Sequence, residues 1–131
     1  MIRNIIDGFK TLLKEFDLID SGDFETVFDP AGTAAIQIES VAPINPAISD
    51  AVIVVNIMGM TTADADPDKA AINKLYSDIG RALAALTLDD IRTACECQAE
   101  LWYLLNSTAP AGGDGRMFSI QYNLVIQNFQ F

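Results

Sequence analysis

The sequence predicts an α+β fold, a mixed and mainly antiparallel sheet of four to five strands with two amphipathic helices packed on it, and three features carry that prediction. Residues 94–131 form two alternating arms around the small-residue run Ala109-Pro110-Ala111-Gly112-Gly113-Asp114-Gly115, the pattern of a long antiparallel hairpin. Ala51–Met58 is β-branched and almost continuously apolar, as expected of a central strand. Two further stretches, one starting at Ile2 and one at Pro67, repeat apolar residues at steps of three and four.

In chain order, Ile2, Ile5, Ile6, Phe9, Leu12, Leu13 and Phe16 make one helical stripe, with Arg3, Asp7, Lys10, Lys14 and Glu15 between them. Gly8 weakens this helix by up to ~1 kcal/mol relative to alanine, which packing of the stripe offsets. The helix is expected to end near Asp17–Asp20, before a turn at Ser21-Gly22-Asp23. Phe24–Phe28 reads as a short strand leading to a second turn at Asp29-Pro30-Ala31-Gly32. In Thr33–Val41 the pair Ile36 and Ile38 alternates with Gln37 and Glu39, giving a strand with one wet face that Pro43 and Pro46 stop.

The strand at Ala51–Met58 is expected between 33–41 and the closing hairpin, covered on both faces or packed against another subunit. Asp66 is placed to cap the free amides of the next helix, Pro67 suits its first turn, and Asp68 complements its dipole. Ile72, Leu75, Tyr76, Ile79, Ala82, Leu83 and Leu86 make its buried stripe, and Thr87–Ile91 reads as the connection to the hairpin. In the first arm Cys95, Cys97, Ala99, Leu101, Tyr103 and Leu105 share the core face by period two, opposite Glu96, Gln98 and Glu100. In the second arm Phe118, Ile120, Tyr122, Leu124 and Ile126 point inward, and Ser119, Gln121, Asn123 and Gln127 outward.

The 131 residues fit one domain, 1–131, that buries about two thirds of the surface of its unfolded chain. Half the residues are hydrophobic and 20% are charged, which excludes a disordered solvating chain. The mean hydropathy of +0.25 leaves more apolar surface than so small a domain can bury, and such surplus usually marks contacts with other subunits. With 18 acidic and 8 basic residues the net charge is −10, and the bases are scattered from Arg3 to Arg116. Specific nucleic-acid binding and an anionic membrane are disfavoured, because both need clustered Lys and Arg. No run approaches the ~18 apolar residues of a membrane span, and the N-terminus lacks the apolar core of a signal peptide, so the chain is expected in the cytoplasm when made.

No catalytic, cofactor or metal site is expected, and the chain does not read as an enzyme. Asp64, Asp66 and Asp68 have the opening spacing of a calcium loop, but Lys69 and Leu75 stand where glycine and a bidentate glutamate are needed, so capping is the better account. Asp89 and Asp90 read as solvated or capping acids. The absence of histidine removes Ser-His and Cys-His nucleophiles, and Cys95 with Cys97 lacks partners for a tetrahedral metal, leaving buried reduced thiols. Gly112, Gly113, Asp114 and Gly115 lack the lysine and following helix of a phosphate-binding loop. Together with Arg116 they are the candidate contacts with a neighbouring subunit or partner, because three glycines occupy a connection that two residues could make.

The element order, a leading amphipathic helix, a strand ending near Val41, a strand at Ala51–Met60, a helix at Pro67–Leu86 and a closing hairpin, resembles the tail terminator proteins of long-tailed bacteriophages, of the minor tail protein U type. Length matches as well. The resemblance covers nearly the whole chain without a sharp motif. It implies an α+β subunit of a six-membered homo-oligomeric ring that caps the tail tube, binds tail tube and head-completion proteins, and resides in the virion tail after assembly in the host cytoplasm. The composition of the Ala109–Gly115 loop and the lack of histidine depart from that family, so no loop contact is carried over. The other reading of the same residues is a small acidic α+β dimer that pairs through its sheet and holds a ligand or a basic protein partner.

Overall fold

Ile5 and Phe9, one turn apart on α1 (Ile2–Leu12), are fully buried, which the three-and-four spacing of the stripe requires. The computed structural model describes residues 1–45, 49–110 and 115–130, without the side chains of Glu25 and Thr26. A 3₁₀ turn at Lys14–Phe16 ends in left-handed Asp17, and β1 (Ile19–Asp20) follows. Arg3 and Lys10 on α1 reach Asp20 at 3.1 and 2.8 Å, and hold its carboxyl below the usual range. Phe24–Val27, expected as a strand, is instead a single helical turn, α2, entered from a second 3₁₀ turn at Ser21–Asp23. Backbone continuity with that turn outweighs a five-residue apolar pattern too short to set its own period.

The remaining elements are β2 (Thr33–Pro43), β3 (Ala51–Met60), α3 (Ala70–Ala85), α4 (Leu88–Cys95), β4 (Gln98–Thr108) and β5 (Met117–Gln127). The sheet order is β1-β2-β3-β5-β4; β1 pairs parallel to β2 and every other pair is antiparallel. This is the α+β fold that the patterns predict. β2 ends at Pro43, whereas Pro46 lies outside the described residues. β3 has the expected neighbours, and Ala51, Ile53, Val55 and Ile57 join the core with the even-numbered residues of β5 from Phe118 to Ile126.

A single core cluster lies on one face of the sheet, under α1, α3 and α4. No described element covers the other face. β3 is therefore covered once, and a partner subunit on its second face is left as a proposal.

Three expectations between α3 and the end of β4 are overturned. Thr87–Ile91 is not a bare connection, because Thr87 and Asp90 close a capping box over α4: Asp90 N donates to Thr87 Oγ1 at 3.1 Å and Thr87 N to Asp90 Oδ2 at 3.0 Å. Cys95 is then the last residue of a helix, Glu96 turns the chain in the left-handed region at φ 52°, and Cys97 lies in the turn, so neither cysteine is on a strand. The facing of β4 is inverted past Ala99 as well. A bulge between Ala99 and Leu101 inserts Glu100, after which Trp102 faces the core and Leu101 and Tyr103 face out. Leu105 falls in a second bulge, between Leu104 and Asn106. Among the described residues, no helix is long and apolar enough to cross a membrane.

Candidate functional site

Of the loop residues singled out from the sequence, Gly112, Gly113 and Asp114 lie outside the described residues, and Gly115 and Arg116 lie within them. Arg116 closes on its own chain. Its Nε donates to the Asp66 carbonyl at 2.9 Å and its Nη2 to the Pro67 carbonyl at 3.2 Å, while its own carbonyl accepts from Thr61 N at 3.0 Å. The start of β5 is thereby tied to the approach of α3.

Asp66 works from the other side of that tie. Only 2% exposed, its carboxylate accepts from Ala71 N and Ile72 N, both at 3.0 Å, and from Thr61 Oγ1 at 2.9 Å. Burial pushes this carboxyl up, but the three donors and the Arg116 charge together hold it below the ordinary value. Asp68 accepts from Ala70 N at 3.1 Å. Both acids cap the helix as expected, although Pro67 precedes α3 by two residues instead of standing in its first turn. Asp89 pairs with Arg92 at 3.0 Å and Asp90 caps α4, so the adjacent acids serve helix geometry. Among the described residues no three of Cys, Asp and Glu converge on a point that could hold a metal ion.

Cys95 and Cys97 lie side by side at the corner between α4 and β4. Cys95 is buried under α1, its Sγ 3.7 Å from the Ile5 carbonyl, and Cys97 is half-buried. Hydrogen bonding from Cys95, the amide of Ala99 and the charge of Arg92 lower the Cys97 thiol against the effect of burial, while Cys95 is pushed up. Arg92 is fixed there by its Nε, which donates to the Ala99 carbonyl at 2.8 Å.

Among the described residues, four of the exposed large apolar side chains gather on β4, an outer strand of the sheet. Leu101, Tyr103, Leu104 and Leu105 are 53, 47, 52 and 49% exposed. Leu104 sits on the helix side, at the rim of a cavity of about 250 Å³ that Tyr76, Gly80, Arg81 and Tyr122 also line. At its head Tyr76 and Ser107 share a hydroxyl–hydroxyl hydrogen bond. Trp102 anchors the same strand: its ring stacks 4.3 Å from Tyr122 and 5.1 Å from Phe9, and its Nε1 donates to the Leu83 carbonyl at 3.2 Å.

The uncovered face of the sheet is ordered in rows by strand register. Ala42, Val52, Val125 and Leu101 make one row, and Ser40, Val54, Asn123 and Tyr103 the next. Gln37, Asn56, Gln121 and Asn106 follow, then Ala35, Met58, Ser119 and Thr108. In the third row Asn56 Nδ2 donates to Glu39 at 2.9 Å, Gln121 donates to its other oxygen, and Ser119 Oγ donates to Asn56 at 2.8 Å. One end of the face is thus apolar and its middle is a satisfied polar network.

No protein-family model matches the chain, and no curated protein sequence matches it.

Proposed function

We propose that the protein is a structural subunit that works as a closed homo-oligomer, of the kind found in phage tail terminators: a ring, six-membered in that family, that caps a tail tube and presents a docking surface to the head. Its place would then be the host cytoplasm during assembly and the virion tail afterwards. The observation that supports this reading is the β4 margin, where four large apolar side chains in five residues stand half-exposed on a subunit of net charge −10. A ring needs two different patches on each subunit, and a lateral apolar margin is suited to be one of them. Light scattering on the full chain from micromolar concentration upward, with and without purified tail tube protein, tests the reading. A ring-sized particle that stops tube growth is the expected result; a chain that neither forms a ring nor caps tubes would overturn it.

A further inference from the structure

Of the 18 acidic and 8 basic residues in the chain, the four long strands hold two, Glu39 and Glu100, and both lie at or beside bulges, in β2 and β4. The charge is carried by the helices and connections, so the uncovered face of the sheet is a nearly neutral plate on a strongly acidic body. For two copies of net charge −10, such a plate is the surface on which mutual repulsion costs least. Its first two rows supply apolar area through Leu101 and Tyr103, which are half-exposed, and through Val52 and Val54, which are partly exposed, around a buried Val125. Four strands of about ten residues, at roughly 3.3 Å per residue and 4.8 Å between strands, give a plate of about 33 by 19 Å. Two such plates face to face remove about 1,200 Å² from water before side-chain relief is counted, the lower bound of a specific interface. Extension of the sheet past β4 is a poorer route, because two bulges interrupt the row of free amides and carbonyls along that margin.

We propose that the uncovered face of β2-β3-β5-β4 is a self-association surface that binds the same face of a second copy of this chain, packing sheet on sheet about a two-fold axis. Aligned sheets pack about 10 Å apart, a spacing that Val54 and Tyr103 fill from both sides. The contact shares Leu101 and Tyr103 with the β4 margin of the ring reading and differs from it at Val54 on the face and at Leu104 on the helix side.

Sedimentation equilibrium on the full chain decides it, with Val54→Glu and Tyr103→Glu as face variants and Leu104→Glu as a margin variant. Each is first checked for parental far-UV circular dichroism; Tyr103→Glu, at a half-exposed site on an outer strand, keeps the test open should Val54→Glu fail to fold. Face pairing is expected to double the mass of the particle that carries it, two 14.2 kDa chains where no ring has closed or two rings where one has, and each face variant weakens that pairing at least about tenfold while Leu104→Glu leaves it unchanged. Raising the salt should tighten the parent pair, because it screens repulsion between the acidic outer surfaces while the contact itself holds almost no charge. A parent that stays monomeric at several hundred micromolar, or a pair dissociated by Leu104→Glu and indifferent to the face variants, overturns the proposal. A ring whose mass Val54→Glu leaves unchanged overturns it too, and leaves the margin contact standing.

Discussion

Gly8 and Cys95 touch where α1 crosses α4, and a β-carbon built on Gly8 would lie 2.5 Å from Cys95 Sγ and 2.7 Å from both the Ala94 carbonyl oxygen and Cys95 Cα. Two of those three atoms are backbone, so the helices themselves would have to part. Gly8→Ala gains up to ~1 kcal/mol in helix propensity but is expected to cost about 1–3 kcal/mol net through overpacking. Gly22→Ala, where nothing lies within 4 Å, should stay within about 0.5 kcal/mol of the parent. Urea unfolding of the two variants beside the parent checks both.

Asp66 makes stability depend on acid. Its folded carboxyl gives up its proton more readily than the unfolded one, whose value is about 3.9, so its stabilising share is complete above that value and is lost as pH falls through the lower folded value. Asp66→Asn should therefore be less stable than the parent at neutral pH, with the gap closing below about pH 4. Asp20, Asp78 and Asp90 are also lowered and destabilise both proteins together, which leaves the difference to report Asp66. Urea midpoints for the pair at neutral pH and at a series of pH values below 4 measure it.

The Cys97 thiol, lowered and half-buried, should be the reactive one of the pair. Native protein is expected to take up one equivalent of iodoacetamide at neutral pH, and Cys97→Ser none; both thiols of the parent react once the chain is unfolded. Arg92→Gln should slow the native reaction by removing the nearby charge. Peptide mapping by mass spectrometry identifies the modified residue, and labelling of Cys95 first would contradict the expected order.

Replacing Ala109–Gly115 by Asn-Gly should leave the thermal midpoint within about 5 °C of the parent, since cutting seven residues to two is nearly two halvings and changes the closure entropy by only about 1.1 kcal/mol. Arg116, which follows the replaced segment, is expected to keep its two carbonyl partners in the shortened chain. A larger fall, read by calorimetry, would mean that the loop packs on the domain. Unchanged assembly of the shortened chain would remove Gly112, Gly113, Asp114 and Gly115 as contacts.

The long periodic segments were legible because a single face dominates each: Ile5 and Phe9 on α1, Ile72, Ile79 and Leu83 on α3, and the even residues of β5 all occupy the core they imply. What escaped was set by single residues. A period-two reading carries Leu101 and Tyr103 inward, and the one inserted residue at Glu100 turns both outward, so the apolar margin is invisible to a pattern that assumes an unbroken ladder. The Thr87–Asp90 capping box was present in the sequence and marks the start of α4, although eight residues give too little periodicity to announce a helix. No local signal pairs Arg116 with carbonyls 49 and 50 positions away, or sets Ile19 beside Ala35.

The position of β3 in the sheet also bears on how the chain reaches it. β2 with β3 and β4 with β5 are hairpins whose strands follow one another, whereas the ladder joining them pairs Met60 with Met117 and Ala51 with Ile126. Two local units must therefore find each other across the whole α3–α4 excursion, and that docking, with its large loop-closure entropy, is expected to be the slow step. Equal losses inside either hairpin should therefore lower the refolding rate, because those contacts are already made when the halves dock, while losses at pairs of the β3–β5 seam, which form only on docking, should also speed unfolding.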